Sequence, residues 1–340
     1  MADFSLANLT ASFPLGKIDR PCYIDGLSMS IYHSDCCAAL SVSSGDLVKV
    51  EVEGLRNYWK VSYMNPARYV LPDKPAYILG RLAHTLVLGD TAFDALFALR
   101  PFDSYRTDRA KAWRLRTLIA GKTPVTQAEL DTANYMADEL RLDPLARTLI
   151  EGAIIERTFI TKRRGVYIKS RPDFLERGAR TVGDYKKSRR TTKRDLLHDI
   201  TKFDYTMKMA NIGEAVVDRM PELGAETIFD LDYVFVMQSD VPPFTVFTVQ
   251  ITPREGVLID GDKVTADESA AVRDSIYWAA CQNRRSLNRI ADARDAGEWP
   301  AAEEGVINYS YPQWLCDRLK REQDSGMLPL LNDRLEEVTR

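Results

Sequence analysis

Two aspartates and one lysine are spaced in a way that could support metal-dependent chemistry. Ten residues separate Asp173 from the tripeptide Asp184-Tyr185-Lys186. Successive side chains of a β-strand point to opposite faces, so on a strand Asp184 and Lys186 would share one face. If Asp173 ends a neighbouring strand, two carboxylates and one ammonium group converge. Carboxylate oxygens bind hard cations such as Mg²⁺, and a lysine beside them can orient or help deprotonate a metal-bound water.

Metal-assisted hydrolysis of phosphodiester bonds requires these groups. The alternative is a surface salt bridge between Asp184 and a neighbouring base, since the pattern Asp-x-Lys alone is common by chance. The position of Asp173, on what the pattern predicts to be a consecutive strand, favours the metal site.

The same part of the chain is strongly basic. Residues 161–194 contain 13 lysines and arginines against three acidic residues, a net charge of +10, whereas the whole chain has −3. Strand-forming residues such as Val166, Ile168 and Tyr185 alternate with these bases, so the segment is not a charged tail. It is either a solvated face or, as we expect, a surface that binds a polyanion.

The elements that must position these residues follow from periodicity. Helical patterns cover about 77–99, 105–120 and 126–150, the last preceded by Thr126 and Glu129 at capping-box spacing. Residues 153–161 and 166–175 are rich in β-formers and flank a turn containing Gly165, which predicts a hairpin. A short strand over 180–186, a helix over 192–220, two more strands and a long helix over about 254–290 complete the pattern. This order predicts an α+β (mixed α/β) fold with a central mixed sheet flanked by helices and an N-terminal helical segment.

Composition limits the class of protein. Of the 340 residues, 45% are hydrophobic and 28% charged, near the globular average. We expect no membrane span and no secretory signal, one domain over residues 29–325, an irregular segment over 1–28 and a tail over 326–340. The five cysteines are scattered without a CxxC pair, which favours a reducing, cytoplasmic location. No ATP or dinucleotide motif is present.

Several segments together resemble a known family. Asp173…Asp184-x-Lys186 resembles the PD-(D/E)xK nuclease signature. The surrounding sequence resembles the exonuclease VIII (RecE-type) branch, related to lambda exonuclease and the RecB nuclease domain. The matching segments are Tyr32-His33 with residues 41–47, residues 80–89, residues 155–157, and residues 299–300 with 311–314. The resemblance spans about residues 29–318 and implies a restriction-endonuclease-like sheet.

The resemblance also implies roles for individual residues. It makes His84, Glu156, Asp173 and Asp184 metal ligands, and Lys186, with both aspartates, catalytic. For His84 the alternative is a core histidine, and for Glu156 a solvent-facing strand residue. We expect DNA contacts from Arg171, Lys187, Arg189, Arg190, Arg194, Tyr205 and Lys208. The family usually has Gln where this chain has Lys208, so we expect altered substrate positioning there and an unchanged metal site.

The activity implied by the resemblance is that of a Mg²⁺-dependent DNA exonuclease, with Mn²⁺ able to substitute. It would degrade double-stranded ends 5′→3′ in phage-type or bacterial recombination, work with a single-strand annealing protein and form a trimeric or tetrameric ring. Only Cys281 and Cys316 lie in the C-terminal half, so we expect no iron–sulfur cluster. Two alternatives remain open: an inactive DNA-binding or phage-associated protein on the same fold, and an endonuclease or CRISPR-adaptation-type nuclease.

Overall fold

The computed structural model describes residues 16–69, 75–89, 91–178, 180–251, 257–260, 263–266, 275–300, 312–325 and 327–328. The predicted N-terminal segment over 1–28 is therefore described only from residue 16. The predicted tail over 326–340 lies almost wholly outside the described residues, as does Tyr311 of the C-terminal motif.

Helices and strands alternate along the described chain. The helices are α1 (Met29–Tyr32), α2 (Ser44–Glu53), α3 (Leu55–Val61), α4 (Pro75–Leu88), α5 (Phe93–Leu96), α6 (Asp108–Ile119), α7 (Gln127–Leu142), α8 (Pro144–Ile150), α9 (Lys193–Lys202), α10 (Tyr205–Arg219), α11 (Ser275–Ala296) and α12 (Gln313–Asp324). The strands are β1 (Cys22–Ile24), β2 (Ser41–Ser43), β3 (Phe97–Leu99), β4 (Thr123–Val125), β5 (Ile154–Ile155), β6 (Thr158–Arg163), β7 (Val166–Ser170), β8 (Phe174–Leu175), β9 (Thr181–Ser188), β10 (Asp232–Ser239), β11 (Val246–Ile251), β12 (Val257–Asp260) and β13 (Lys263–Ala266).

Two mixed sheets form the centre of the fold. The larger has the order β11-β10-β9-β8-β5, and the second has the order β1-β6-β7-β2. Within the larger sheet β9 and β10 run parallel, with Asp184 opposite Phe235, while the other pairs are antiparallel. This arrangement confirms the predicted mixed sheet flanked by helices.

Helices cover both faces of the larger sheet. Val182 and Phe235 point into a core shared with α2, α10 and α11. Tyr185 and Val236 point into a second core formed with α4 and α7. Because β9 and β10 are buried on both faces, polar side chains on them must find partners within the protein. The polar end of β9 therefore lies between α4 on one face and α10 on the other.

Local sequence signals predicted several elements correctly. The hairpin of β6 and β7 turns at Arg164 and Gly165, both with positive φ. Thr126 and Glu129 form the predicted capping box of α7, each side chain bonded to the other residue's backbone N–H. The helix predicted from about residue 254 is wrong at its start. β12 and β13 pair antiparallel there, and α11 begins only at Ser275.

The chain divides into two compact units, Met1–Ala302 and Glu303–Arg340. The larger unit contains both mixed sheets, and the smaller contains α12, an amphipathic helix that begins after Pro312. The limits of the single domain predicted from the sequence, residues 29 and 325, remain a prediction. Within the described residues, no helix combines the length and the apolar composition needed to cross a bilayer.

Candidate active site

β9 presents two candidate residues on one face. Asp184 is completely buried, and its Oδ2 forms an ion pair with Lys186 Nζ, two positions along the strand. Tyr185, between them, points to the opposite face, where its hydroxyl lies 2.8 Å from Gln238 Oε1. The period-two alternation of a strand therefore places Asp184 and Lys186 together, as the sequence predicted.

Asp173 joins them from the segment just before β8. Its Oδ2 accepts a hydrogen bond from the backbone N–H of Tyr185 at 2.8 Å, and its own N–H donates to the carbonyl of Gly183 at 3.1 Å. These two bonds fix the Asp173 carboxylate beside β9. The ten residues between the aspartates are thus the β8–β9 hairpin.

Glu156 joins the same cluster from the short segment between two strands. It lies between β5 and β6, and its φ is +50°, in the left-handed region that non-glycine residues rarely adopt. Its N–H donates to the carbonyl of Asp173 at 3.1 Å. The sequence placed Glu156 within a strand, and the structure corrects this. Backbone strain outside glycine is concentrated at functional sites, which supports a role for Glu156.

His84 approaches the carboxylates from α4. Its Nε2 lies 3.4 Å from Asp173 Oδ2 and 3.6 Å from Glu156 Oε1. Burial lowers the pKa of the imidazole, but the carboxylates of Asp173 and Glu156 outweigh burial and raise it above its ordinary value. A histidine packed only among apolar side chains would have neither contact, so this geometry disfavours the core-histidine alternative.

Two lysines neutralise the carboxylates. Lys208, on α10, forms an ion pair with Asp184 Oδ1 and places its Nζ 3.4 Å from Asp173 Oδ1. Burial opposes ionisation of Asp173, yet the charges of Lys208, His84 and Lys186 hold the pKa of its carboxyl well below the ordinary value. Burial likewise opposes the charge of Lys208, but Asp173 and Asp184 raise the pKa of its ammonium.

The side chains present fit a hard divalent cation by their chemistry. Asp173 and Asp184 already share one cation, the ammonium of Lys208, and His84 and Glu156 add a nitrogen and an oxygen donor beside them. As the side chains stand, no group of three His, Cys, Asp or Glu residues in the described part of the chain is arranged to hold a metal. In this arrangement ammonium groups lie against both aspartates.

A pocket of about 920 Å³ opens beside the cluster. Its lining is basic and aromatic, and comprises Tyr77, Gly80, Arg81, His84, Tyr185, Lys187, Ser188, Arg189, Arg190, Asp199, Lys202, Phe203 and Tyr205. The Phe203 and Tyr205 rings stack with centroids 5.6 Å apart, and Lys186 Nζ lies 5.3 Å from the Tyr205 centroid. Such a surface suits a phosphate backbone with exposed bases.

Several of these lining residues were not predicted from the sequence. Tyr77, Arg81 and His84 lie at positions i, i+4 and i+7 of α4, a helical spacing that could have identified Arg81 and Tyr77 once His84 was chosen. Lys202 and Phe203 lie at the end of α9, with no sequence signal beyond charge and aromaticity.

The predicted DNA-contact residues separate into three groups. Lys187, Arg189, Arg190 and Tyr205 line the pocket, and the first of these also pairs with Asp240 at 2.6 Å. Arg194 is exposed on α9 but does not line the pocket. The remaining two, Arg171 and Lys208, contact other protein groups and do not line the pocket.

Arg171 is only 5% exposed and donates to protein acceptors. Its Nε lies 2.8 Å from Thr158 Oγ1, another nitrogen lies 2.6 Å from the Leu27 carbonyl, and a third approaches Glu156 at 3.4 Å. It supports Glu156 rather than a phosphate. Lys208 lies among the carboxylates, so it contacts the predicted metal ligands directly.

Comparison with solved structures finds a likeness of fold but none of sequence. No protein-family model matches the chain, and no curated protein matches it. The fold is similar to the crystal structure of a protein from Eubacterium rectale described as a putative exonuclease, with a TM-score of 0.50 and 12% sequence identity. The match covers 86% of this chain and 97% of the other. At this identity the likeness shows a shared α+β fold.

Proposed function

We propose that this protein is a metal-dependent nuclease that hydrolyses phosphodiester bonds of DNA. The observation that best supports this function is that Asp173, Asp184, Glu156 and His84 meet Lys186 in one cluster at the central strand β9. The basic, aromatic pocket opens beside this cluster. A protein that only binds DNA has no use for carboxylates that converge beside a polyanion.

Each residue has a role that follows from its position. The carboxylates of Asp173 and Asp184, with His84 and Glu156, would hold one or two Mg²⁺ or Mn²⁺ ions. Bound Mg²⁺ supplies Lewis-acid polarisation of the phosphate and neutralises the charge on the leaving oxygen. Lys186 lies on the same strand face as Asp184, where its ammonium can orient the attacking water. Arg171 holds the Glu156 carboxylate in place.

The pocket would bind the sugar–phosphate backbone without reading base sequence. Arg81, Lys187, Arg189, Arg190 and Lys202 supply positive charge around its wall. Phosphate contacts position a nucleic acid but carry no sequence information. Stacking on Phe203 or Tyr205 is available to any base.

The finer features of the activity are proposals based on the family resemblance. We propose exonuclease action, 5′→3′ from double-stranded ends, leaving a 3′ single strand that an annealing protein takes up during recombination. The structurally similar protein is described as a putative exonuclease, which supports exonuclease action but not its polarity. The free state of all five cysteines supports the proposed cytoplasmic location.

Digestion of linear duplex tests the proposed activity. We expect end-labelled DNA to be degraded with Mg²⁺ and left intact in EDTA. Lys186→Ala should reduce the rate at least about a hundredfold, the usual contribution of a side chain that assists proton transfer. Lys111→Ala, which removes an exposed lysine on α6, is the matched control. Equal rates for wild type and Lys186→Ala would remove Lys186 from the mechanism.

The same assay distinguishes the alternative functions. Cutting of covalently closed circular DNA would indicate an endonuclease. The Lys208 contacts favour the inactive DNA-binding alternative more than the sequence alone did, because an ammonium group already neutralises both aspartates. Duplex binding with no cleavage under Mg²⁺ or Mn²⁺ would establish that alternative and overturn the proposal.

Neutralising three arginines should weaken DNA binding for all sequences alike. Arg189 and Arg190 line the pocket. Arg194 follows them closely in the sequence, and its side chain is exposed to solvent. Each lost phosphate contact should lower the slope of log affinity against log salt by roughly 0.9 on duplex DNA, because fewer counterions are released. Fluorescence anisotropy at several salt concentrations measures the slope.

A triple substitution of equal charge elsewhere is the control for this prediction. Arg106, Arg109 and Arg116, exposed on or near α6, can be changed to glutamine together. This control should leave the slope unchanged. An unchanged slope in the variant of Arg189, Arg190 and Arg194 would mean that these side chains form only a solvated face.

We also propose a closed ring of three or four subunits. The exposed bases of the segment over 161–194 would then line a channel, and the acidic remainder of the chain would form the outside. Closed cyclic symmetry is common among soluble homo-oligomers. Light scattering at micromolar concentration should give three or four times the chain mass of 38.5 kDa. A mass of one chain would contradict the ring, and degradation should then be distributive.

A further inference from the structure

Lys208 is the unusual member of the carboxylate cluster. We propose that its ammonium group is a built-in cation that occupies the metal position of the metal-free protein, and that a divalent ion must displace it to bind. This inference rests on the cation site of the proposed function and adds to it a residue of this chain that sets metal affinity.

The contacts single out Lys208 among the basic side chains of the cluster. Its Nζ pairs with Asp184 Oδ1 and lies 3.4 Å from Asp173 Oδ1, so it bridges the two aspartates. Lys186 pairs with the other oxygen of Asp184. A cation that bridges Asp173 and Asp184 through these oxygens would therefore need the place where the Lys208 ammonium lies.

Charge balance explains why both cations cannot remain. Three carboxylates, Glu156, Asp173 and Asp184, face the cations of Lys186, Lys208 and Arg171. The imidazole of His84 also lies against two of these carboxylates. Adding a divalent ion with Lys208 in place would put like charges within a few ångströms of one another in a buried setting, where repulsion is strong. Displacing Lys208 reduces the charge excess and removes the steric conflict.

Lys208 is also able to leave. Its side chain is 28% exposed, whereas that of Asp184 is 0% exposed. A lysine has a flexible four-carbon stem, so its ammonium can move without a change in the helix that holds it. The cluster is then stable without metal, and metal binding includes the cost of breaking the two Lys208 contacts.

Calorimetric titration with Mn²⁺, without DNA, tests this role directly. We expect Lys208→Gln to bind Mn²⁺ about tenfold tighter or more than wild type, because the competing charge is gone. Lys208→Arg keeps the charge and should bind as weakly as wild type. Lys111→Gln, which removes an exposed charge on α6, should not change the affinity. Equal or weaker Mn²⁺ binding by Lys208→Gln would overturn the inference.

Thermal unfolding gives a second readout. In EDTA, Lys208→Gln should melt below wild type, since two buried carboxylates lose a cation. Saturating Mn²⁺ should raise its melting temperature more than that of wild type. A larger or equal rise in wild type would also contradict the inference.

A third test uses only the wild-type protein, so it does not depend on whether a variant folds. Acetylation of the Lys208 amine, followed by peptide mass spectrometry, should increase when Mn²⁺ is bound, because the displaced ammonium becomes accessible. Unchanged labelling while Mn²⁺ binds would overturn the inference and leave the proposed nuclease intact. If neither wild type nor Lys208→Gln binds Mn²⁺, both the inference and the metal-dependent function fail.

Discussion

Replacing Asp184 by asparagine is expected to abolish DNA cleavage while DNA affinity stays equal or rises. The change keeps the shape of a fully buried side chain but removes the charge that Lys186 and Lys208 now share. A bound metal contributes several kcal/mol to phosphoryl chemistry, and 1.36 kcal/mol is tenfold in rate. The loss in kcat/KM should therefore be about a thousandfold or more.

The affinity prediction has its own physical reason. Without the Asp184 charge, the two lysine ammonium groups are freer to contact phosphate, and less negative charge faces the DNA. Single-turnover cleavage measures the rate, and anisotropy in EDTA measures binding. Asp173→Asn should behave in the same way, because its carboxylate also contacts Lys208.

The control for these variants is Asp131→Asn, the same chemical change at an exposed position of α7. It should cleave like wild type. Near-normal turnover by Asp184→Asn or Asp173→Asn would exclude the residue concerned from the mechanism. Lost cleavage together with lost binding and a lowered melting temperature would indicate misfolding instead.

Gly183→Ala should strongly destabilise the protein. A Cβ atom at Gly183 would lie 1.8 Å from the ring of Phe174 on the neighbouring strand, far inside any possible contact. Phe174 is completely buried, so its ring cannot move away freely. Overpacking of this kind costs about 3 kcal/mol, which lowers the melting temperature by about 6 °C. Because Gly183 precedes Asp184, cleavage should fall as well.

Gly45→Ala is the matched control, since a Cβ there meets only Ser43 Oγ at 3.7 Å and the position is helical. Its stability should not fall. The double variant Phe174→Leu with Gly183→Ala should recover part of the lost stability, because the smaller side chain vacates the overlapping space. A melting temperature of Gly183→Ala equal to that of wild type, measured by calorimetry, would contradict the close packing of β8 on β9.

Features that depend on neighbours in the chain could be predicted from sequence. Gly165 turns the β6–β7 hairpin because glycine adopts positive φ without strain. Thr126 caps α7 because its hydroxyl reaches the N–H three residues later. The shared face of Asp184 and Lys186 follows from the two-residue period of a strand. Each of these depends on local geometry alone.

Features that depend on distant elements could not be predicted in the same way. Arg171 lies in the basic segment, but its burial depends on Leu27 and Thr158, which pack around it. The interruption of the strand at Glu156 was not predicted, because a run of β-forming residues does not show at which residue the backbone leaves the extended conformation. The sequence predicted too early a start for α11. Charged and apolar residues alternate before it in a pattern that is compatible with a helix as well as with a hairpin.

The sequence by itself determined the fold class, the order of the main elements around the site and the pairing of Asp184 with Lys186, because hydrophobic periodicity and turn residues encode these locally. Only the tertiary structure decided that α4 brings His84 within 3.4 Å of Asp173 and that α10 places Lys208 between the aspartates. The physical reason is that both contacts join elements far apart in the chain, whose approach is set by packing on opposite faces of one sheet.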